Sequence, residues 1–218
     1  MIRPFGPNEA LFLLEAARWT VFLSVIAFLG GGLLGALVAL ARVSANRAIR
    51  WPAMAWIEVV QGTPVLIVLF LTFYGLPLLG TRLPPIVAAG IGLTVYASAF
   101  LGDIWRGCIQ AVPHGQWEAA SALALTRWQR MRLVVLPQAV RLAIPPTVGF
   151  SVQVVKNTSV ASIIGFVELA RAGVLMNNVT FQPFRVFLTV SAIYFVMCWP
   201  LSLISQRLER KLRTGPRG

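Results

Sequence analysis

The chain has 218 residues, of which 57% are hydrophobic and only 12% charged, with a mean hydropathy of +0.76. A soluble domain of this size carries roughly twice that charged fraction, so a water-soluble globular fold is excluded. The net charge of +12 raises the possibility of a nucleic acid partner, and the placement of the basic residues decides against it. No Asp, Glu, Lys or Arg occurs in windows 19–41, 59–81, 83–102 or 186–206, and window 142–167 carries only Lys156. Each window is about 20 residues or longer, the length a helix needs to cross the hydrocarbon core. Five spans are therefore predicted, near 19–41, 53–79, 83–105, 142–166 and 185–206, in one membrane domain covering 1–218.

With the N-terminus outside, the inner segments hold Arg42, Arg47 and Arg50, then Arg106, Arg127, Arg130, Arg132 and Arg141, then Arg207, Arg210, Lys211, Arg213 and Arg217. The outer segments keep Arg3, Arg18, Arg82, Arg171 and Arg185. The positive-inside rule thus orients the chain N-out, C-in. The basic tail suits anionic lipid, and no nucleic acid is required. The first ten residues lack a basic region followed by a short apolar core, so an uncleaved first span is expected. Cys108 and Cys198 have no metal-like spacing and are expected to be inert apolar residues.

Span one contains Gly30, Gly31, Gly32 and Gly35, which lets a neighbouring backbone approach closely. Trp51-Pro52 is expected to open span two as an interfacial aromatic and a first-turn proline. Eight residues past Arg50, about 12 Å along a helix, comes Glu58. A carboxylate there is expensive unless it faces protein or water. Gln61-Gly62-Thr63-Pro64 follows, and Pro64 removes a backbone donor. Two readings stand: a packed proline kink with Glu58 snorkelling inward, or a wall of a polar path.

Arg82 to Pro85 is an outer turn, and span three ends in Asp103 and Arg106, spaced to pair across one helix face. The inner loop, about 107–141, then carries Glu118-Ala119-Ala120, followed by Ala124, Leu125, Thr126, Arg127, Trp128 and Gln129, and Leu136-Pro137-Gln138. It predicts a short cytoplasmic helix, a turn and a second helix stopped by Pro137. Small residues let a partner surface close around such a helix, and Trp117 and Trp128 bracket it as apolar anchors. The plainer alternative is a hairpin lying on the membrane. The lone His114 reads as an exposed loop residue.

Span four follows, with Pro145-Pro146 bending its entry. Lys156 lies about 22 Å past Arg141 by helical rise, too deep to snorkel easily. Four consecutive polar residues at such depth, Lys156, Asn157, Thr158 and Ser159, favour the lining of a cavity. The stretch from Gly165 to Pro183 reads as an outer connection.

Five blocks in this order resemble the permease subunits of bacterial ABC importers of the polar amino acid family (histidine, glutamine and glutamate type). They are Gly62-Thr63-Pro64; Gly115-Gln116-Trp117-Glu118-Ala119-Ala120; Leu136-Pro137-Gln138-Ala139; Pro145-Pro146; and Lys156-Asn157-Thr158-Ser159. The likeness covers about 19–212. It implies an all-α integral membrane protein, type I importer permease-like, with about five transmembrane helices and a cytoplasmic coupling helix, in the bacterial inner membrane. It further implies contact with a separate ATPase, present in two copies, through Glu118, Ala119, Ala120, Ala124, Arg127 and Trp128. The implied substrate path is Glu58, Gln61, Thr63, Lys156, Asn157, Thr158 and Ser159. An extracytoplasmic amino-acid-binding protein and a second permease subunit, identical or sister, complete the implied assembly. No phosphate-binding Gly-rich loop occurs, so ATP and Mg belong to the ATPase and this chain is expected to be non-catalytic, with no cofactor of its own.

Three departures from the family pattern stand out. Ala124 replaces the loop glycine, which removes easy access to positive φ, so an ordinary helix-compatible bend is expected there. Gln61 stands where arginine is frequent, and Asn157 where aspartate is. Both exchange a charge for an amide, and the asparagine hints at polar or acidic L-amino acids. The rival reading is a secondary transporter or channel using Glu58 and Lys156 as an intramembrane charge pair. A scaffold without transport is a third, and it has no need of polar residues in span four.

Overall fold

The computed structural model describes residues 4–213; Arg3 and Arg217 of the charge balance lie outside them. The first helix, α1 (Pro7–Arg42), starts twelve residues before the uncharged window, at a proline suited to a first turn. After a short turn comes α2 (Arg47–Gln61), capped by Asn46, whose Oδ1 accepts from the Ala48 N–H at 2.9 Å. Pro52 is therefore the sixth residue of α2 and not a first-turn proline. Next are α3 (Val65–Leu78), α4 (Pro85–Gln110), α5 (His114–Ala122), α6 (Arg127–Ser162), α7 (Leu169–Thr180) and α8 (Pro183–Arg213). No strand occurs among the described residues.

Helices α1, α4, α6 and α8 are long and apolar enough to cross a membrane, and α2 with α3 makes a fifth crossing only if counted as one broken span. The break is a 104° bend, which replaces the expected proline kink. A proline disfavours α geometry at the residue before it, and here α2 ends at Gln61 with Gly62 as its cap while α3 starts afresh after Pro64.

Prolines elsewhere do less than expected. Pro137 does not stop a helix: Arg130–Val135 forms a π turn and the helix runs on through Pro137, Pro145 and Pro146 to Asn157. A wider turn ahead of a proline accommodates its missing N–H and its ring, so the hairpin's second helix and span four are one helix. At Asn157 the α geometry tightens into a 3₁₀ turn, Thr158–Ser162.

The most extensive helix contact is α1 on α4. Its cause is the glycine row: a Cβ on Gly31 would overlap Ala97, and one on Gly35 would lie 3.0 Å from the Ser98 carbonyl. Gly30 meets Thr94 similarly, whereas Gly32 has room. On the opposite side of α1, Leu29, Leu33 and Leu37 form an exposed row at i, i+4, i+8 that suits lipid.

Three apolar clusters stack along the bundle. The middle one joins Leu23, Leu69, Leu93, Leu101, Phe150 and Ala161. One end is closed by Leu13, Ala17, Leu169, Ala172 and Val190, the other by Ile109, Val112, Val135 and Ala139 with Trp117 against them.

Candidate functional site

The residues expected to couple to an ATPase do not share one surface. Glu118, Ala119, Ala124, Arg127 and Trp128 are exposed, Trp128 at 66%. Ala120 is 2% exposed and faces the bundle. Trp117 is no outward anchor either: it is half-buried, and its Nε1–H donates to the Val112 carbonyl at 3.3 Å. One face of α5 is thus fixed to the bundle end while the other, with Glu118 and Ala119, is free to meet a partner.

The turn after α5 departs from expectation. Ala124 adopts φ 53°, the left-handed region that its side chain disfavours. The hydrogen bonds explain why: Leu125 N–H donates to the Ala120 carbonyl at 3.2 Å and Ala124 N–H to the Ser121 carbonyl at 2.9 Å. This pair of bonds ends a helix only when the residue after the cap is left-handed. The position keeps the conformation of a glycine with a methyl group on it. Thr126 then opens α6 by a reciprocal cap with Gln129, and Arg130 Nη1 donates to Ser121 Oγ at 2.7 Å across the turn. At the same end of the bundle Arg106 pairs with Asp103 at 2.8 Å, as the i, i+3 spacing predicts.

The residues expected to line a path lie at the two interruptions. Gln61 closes α2, and Glu58 and Gln61 are exposed; Thr63 is half-exposed and donates to the Val59 carbonyl at 2.7 Å. Lys156 and Asn157 close the α-helical part of α6. The first turns of α3 pack on the 3₁₀ turn through Leu69 and Ala161, so the two breaks are neighbours in space. Backbone that leaves the helix at membrane depth is tolerated where protein buries it or water lines it.

Within the second break the four polar residues part company. Lys156 is exposed on this chain. Asn157 is 9% exposed; its Oδ1 accepts from Gln153 Nε2 at 3.3 Å while its Nδ2 has no partner. Thr158 is fully buried and donates to the Val155 carbonyl, so it faces the core rather than any path. Ser159 donates to the Lys156 carbonyl at 2.7 Å. Among the described residues, Glu58 and Lys156 form no ion pair.

One residue escaped the sequence reading. Glu168, placed there in an outer connection, is 0% exposed and caps α7. Its Oε2 accepts from Tyr194 Oη (2.9 Å), Thr20 Oγ1 (3.3 Å) and Ala170 N–H (2.9 Å), and its Oε1 from Arg171 N–H (2.9 Å). Burial pushes the carboxyl above its ordinary range, and these hydrogen bonds oppose that rise. A signal was available: Leu169, Ala172, Gly173 and Met176 repeat at helical spacing directly after Glu168.

The described residues form an all-helical bundle with four membrane-length apolar helices, one broken span and an exposed helical hairpin at one end, the architecture of an integral membrane protein. Residues 31–214 match the family described as "Binding-protein-dependent transport system inner membrane component", and the chain belongs to that family. It is a non-catalytic permease subunit, and membership implies an ATPase and a substrate-binding protein as partners. It is 32% identical to the glutamine transport system permease GlnP of Escherichia coli K12 over 203 residues, 92% of this chain and 93% of the relative. It is 34% identical to the L-cystine transport system permease TcyB of Bacillus subtilis 168 over 196 residues, 89% of this chain and 83% of the relative. A crystal structure of an amino acid ABC transporter with histidines superposes with a TM-score of 0.86 at 34% identity, covering 92% of this chain and 94% of that one. An inward-facing MetNI methionine transporter shares the fold at a TM-score of 0.79 and 20% identity, covering 95% and 99%.

Proposed function

We propose that this chain is the transmembrane subunit of an ATP-driven importer of polar or acidic L-amino acids, paired with a second copy or a sister subunit. The observation that carries it is the hairpin: α5 presents Glu118 and Ala119 outward while Ala120 and Trp117 lock its other face to the ends of α4 and α6. A partner that moves α5 therefore moves two long helices with it. In this reading the hairpin is cytoplasmic, the N-terminus lies outside, and each permease subunit meets one of two ATPase copies through Glu118, Ala119, Arg127 and Trp128. A binding protein delivers the amino acid to the outer side.

Glu58, Gln61 and Thr63 from one break and Lys156, Asn157 and Ser159 from the other form the path wall; Thr158 shapes it from behind. The negative end of α2, with Glu58 beside it, attracts an ammonium group, and the unpartnered Asn157 amide and Lys156 attract a carboxylate. That complement suits a zwitterion better than a bare ion. The absence of a Glu58–Lys156 pair weighs against the secondary-transporter reading.

The test is uptake into vesicles holding the chain with its ATPase and binding protein. Glu118→Lys is expected to lose ATPase co-purification and uptake while the chain stays folded, because charge reversal at a contact costs affinity. Normal complex yield with normal uptake removes the hairpin from coupling. In the same vesicles Asn157→Asp is expected to depress acidic substrates more than basic ones, and an equal change for both removes Asn157 from the path.

A further inference from the structure

An apolar groove of about 500 Å³ runs along the face made by α1, α4 and α6, from Phe28 and Val148 near mid-bundle to Leu40 and Leu136 at the basic end. Phe28 to Leu40 and Leu136 to Val148 each rise about 18 Å along their helices. One leaflet of a hydrocarbon core about 30 Å thick contributes about 15 Å. The groove thus has the length of a single acyl chain in one leaflet. Its polar lining atom, the Thr147 hydroxyl, is already engaged by Trp105 Nε1–H at 2.8 Å. Nothing in the walls solicits a polar solute.

The basic end supplies what hydrocarbon alone does not. Arg42 closes α1 one turn past Ala39, and its Nε is buried with no hydrogen-bond partner. Arg132 is exposed in the turn before Leu136, whereas Arg106 nearby is already paired with Asp103. With its Nε enclosed the guanidinium is held at the helix end, and its terminal nitrogens, for which no ion pair within the chain occurs among the described residues, can donate charge-assisted bonds to a phosphate. A second copy packed on this face by a two-fold axis would set the same arginines against each other.

We infer that this groove binds one acyl chain of an anionic phospholipid, with the headgroup phosphate at Arg42. The site lies in the leaflet on the basic side, the inner one in the topology proposed above.

Trp105 in the groove wall makes this measurable. The full chain is placed in nanodiscs of phosphatidylcholine containing a minority of phosphatidylglycerol, with bromine on the acyl chains of one lipid or the other. The fluorescence assigned to Trp105 is the difference between the chain and its Trp105→Phe variant. Brominated phosphatidylglycerol is expected to quench Trp105 about five-fold more per molecule than brominated phosphatidylcholine, the ratio given by one engaged basic residue. Arg42→Gln should abolish that preference, and Ala143→Phe, which fills the groove, should remove the quenching by both lipids. Equal quenching by the two lipids, or a preference that survives Arg42→Gln, overturns the headgroup site. No quenching by either lipid shows the groove covered by a second copy and overturns the proposal as a whole.

Discussion

Two carboxylates, one at each end of the bundle, have opposite surroundings. Glu118 on α5 is exposed and makes no hydrogen bond, while Glu168 is sealed between α1, α7 and α8 and accepts four. The Glu168 corner is held by a buried polar network whose donors, from Thr20, Tyr194, Ala170 and Arg171, are all committed to the carboxylate. The hairpin is held by an apolar contact beneath it and by local caps. A carboxylate surrounded by donors fixes elements to each other, whereas one left in water is available to a second protein. The difference separates a structural joint from a contact surface.

The comparison breaks most sharply if the two ends lie on the same side. Single cysteines at Arg127 and Arg171, in a background lacking Cys108 and Cys198, should react oppositely with an impermeant thiol reagent added outside intact cells. Position 171 should label and position 127 should not; labelling at 127 overturns both the orientation and the hairpin's role as an ATPase handle.

A smaller contrast concerns stability. Glu168→Ala removes a helix cap and strands buried hydroxyl donors, each worth about 1–3 kcal/mol, for a loss of about 3 kcal/mol or more. Tyr194→Phe removes one donor and should cost about 1 kcal/mol. Glu118→Ala, on an exposed helix, should stay within about 0.5 kcal/mol. Thermal unfolding of the purified variants in one detergent ranks them, and equal losses at the two carboxylates would erase the distinction between joint and surface.

The smallest expected effect lies in the hairpin turn. Ala124→Gly relieves a left-handed alanine and should stabilise the hairpin by up to about 1 kcal/mol, the steric cost of that conformation less the added freedom of glycine in the unfolded chain. Slower proteolysis of the loop at unchanged complex yield is the expected result. Faster proteolysis would mean that Ala124 is not strained.

Long apolar windows made the spanning helices legible, because hydrocarbon demands length and few charges and nothing else in the chain imitates that. The glycine row on α1 was legible for a related reason: only close backbone approach repays several glycines in one helix. The Asp103–Arg106 pair followed from helical spacing alone. Proline was the poor guide. Pro64 breaks its span, whereas Pro137 is absorbed by a π turn, and the outcome depends on what surrounds each ring.

The same limit governed the polar residues. Composition and order determined that this is a helical membrane protein with a polar-carrying span and a polar hairpin between spans, and the motifs it shares with a family gave the permease. Only the tertiary structure decided that Thr158 faces the core, that Ala120 faces the bundle, and that Ala124 takes a glycine's conformation. It alone showed that Glu168 closes a network with Thr20, 148 residues away in sequence. The physical reason is that the cost of a buried polar group depends on the donors and acceptors around it, and those come from distant helices. The length of an apolar helix is written locally; the satisfaction of a carboxylate is not.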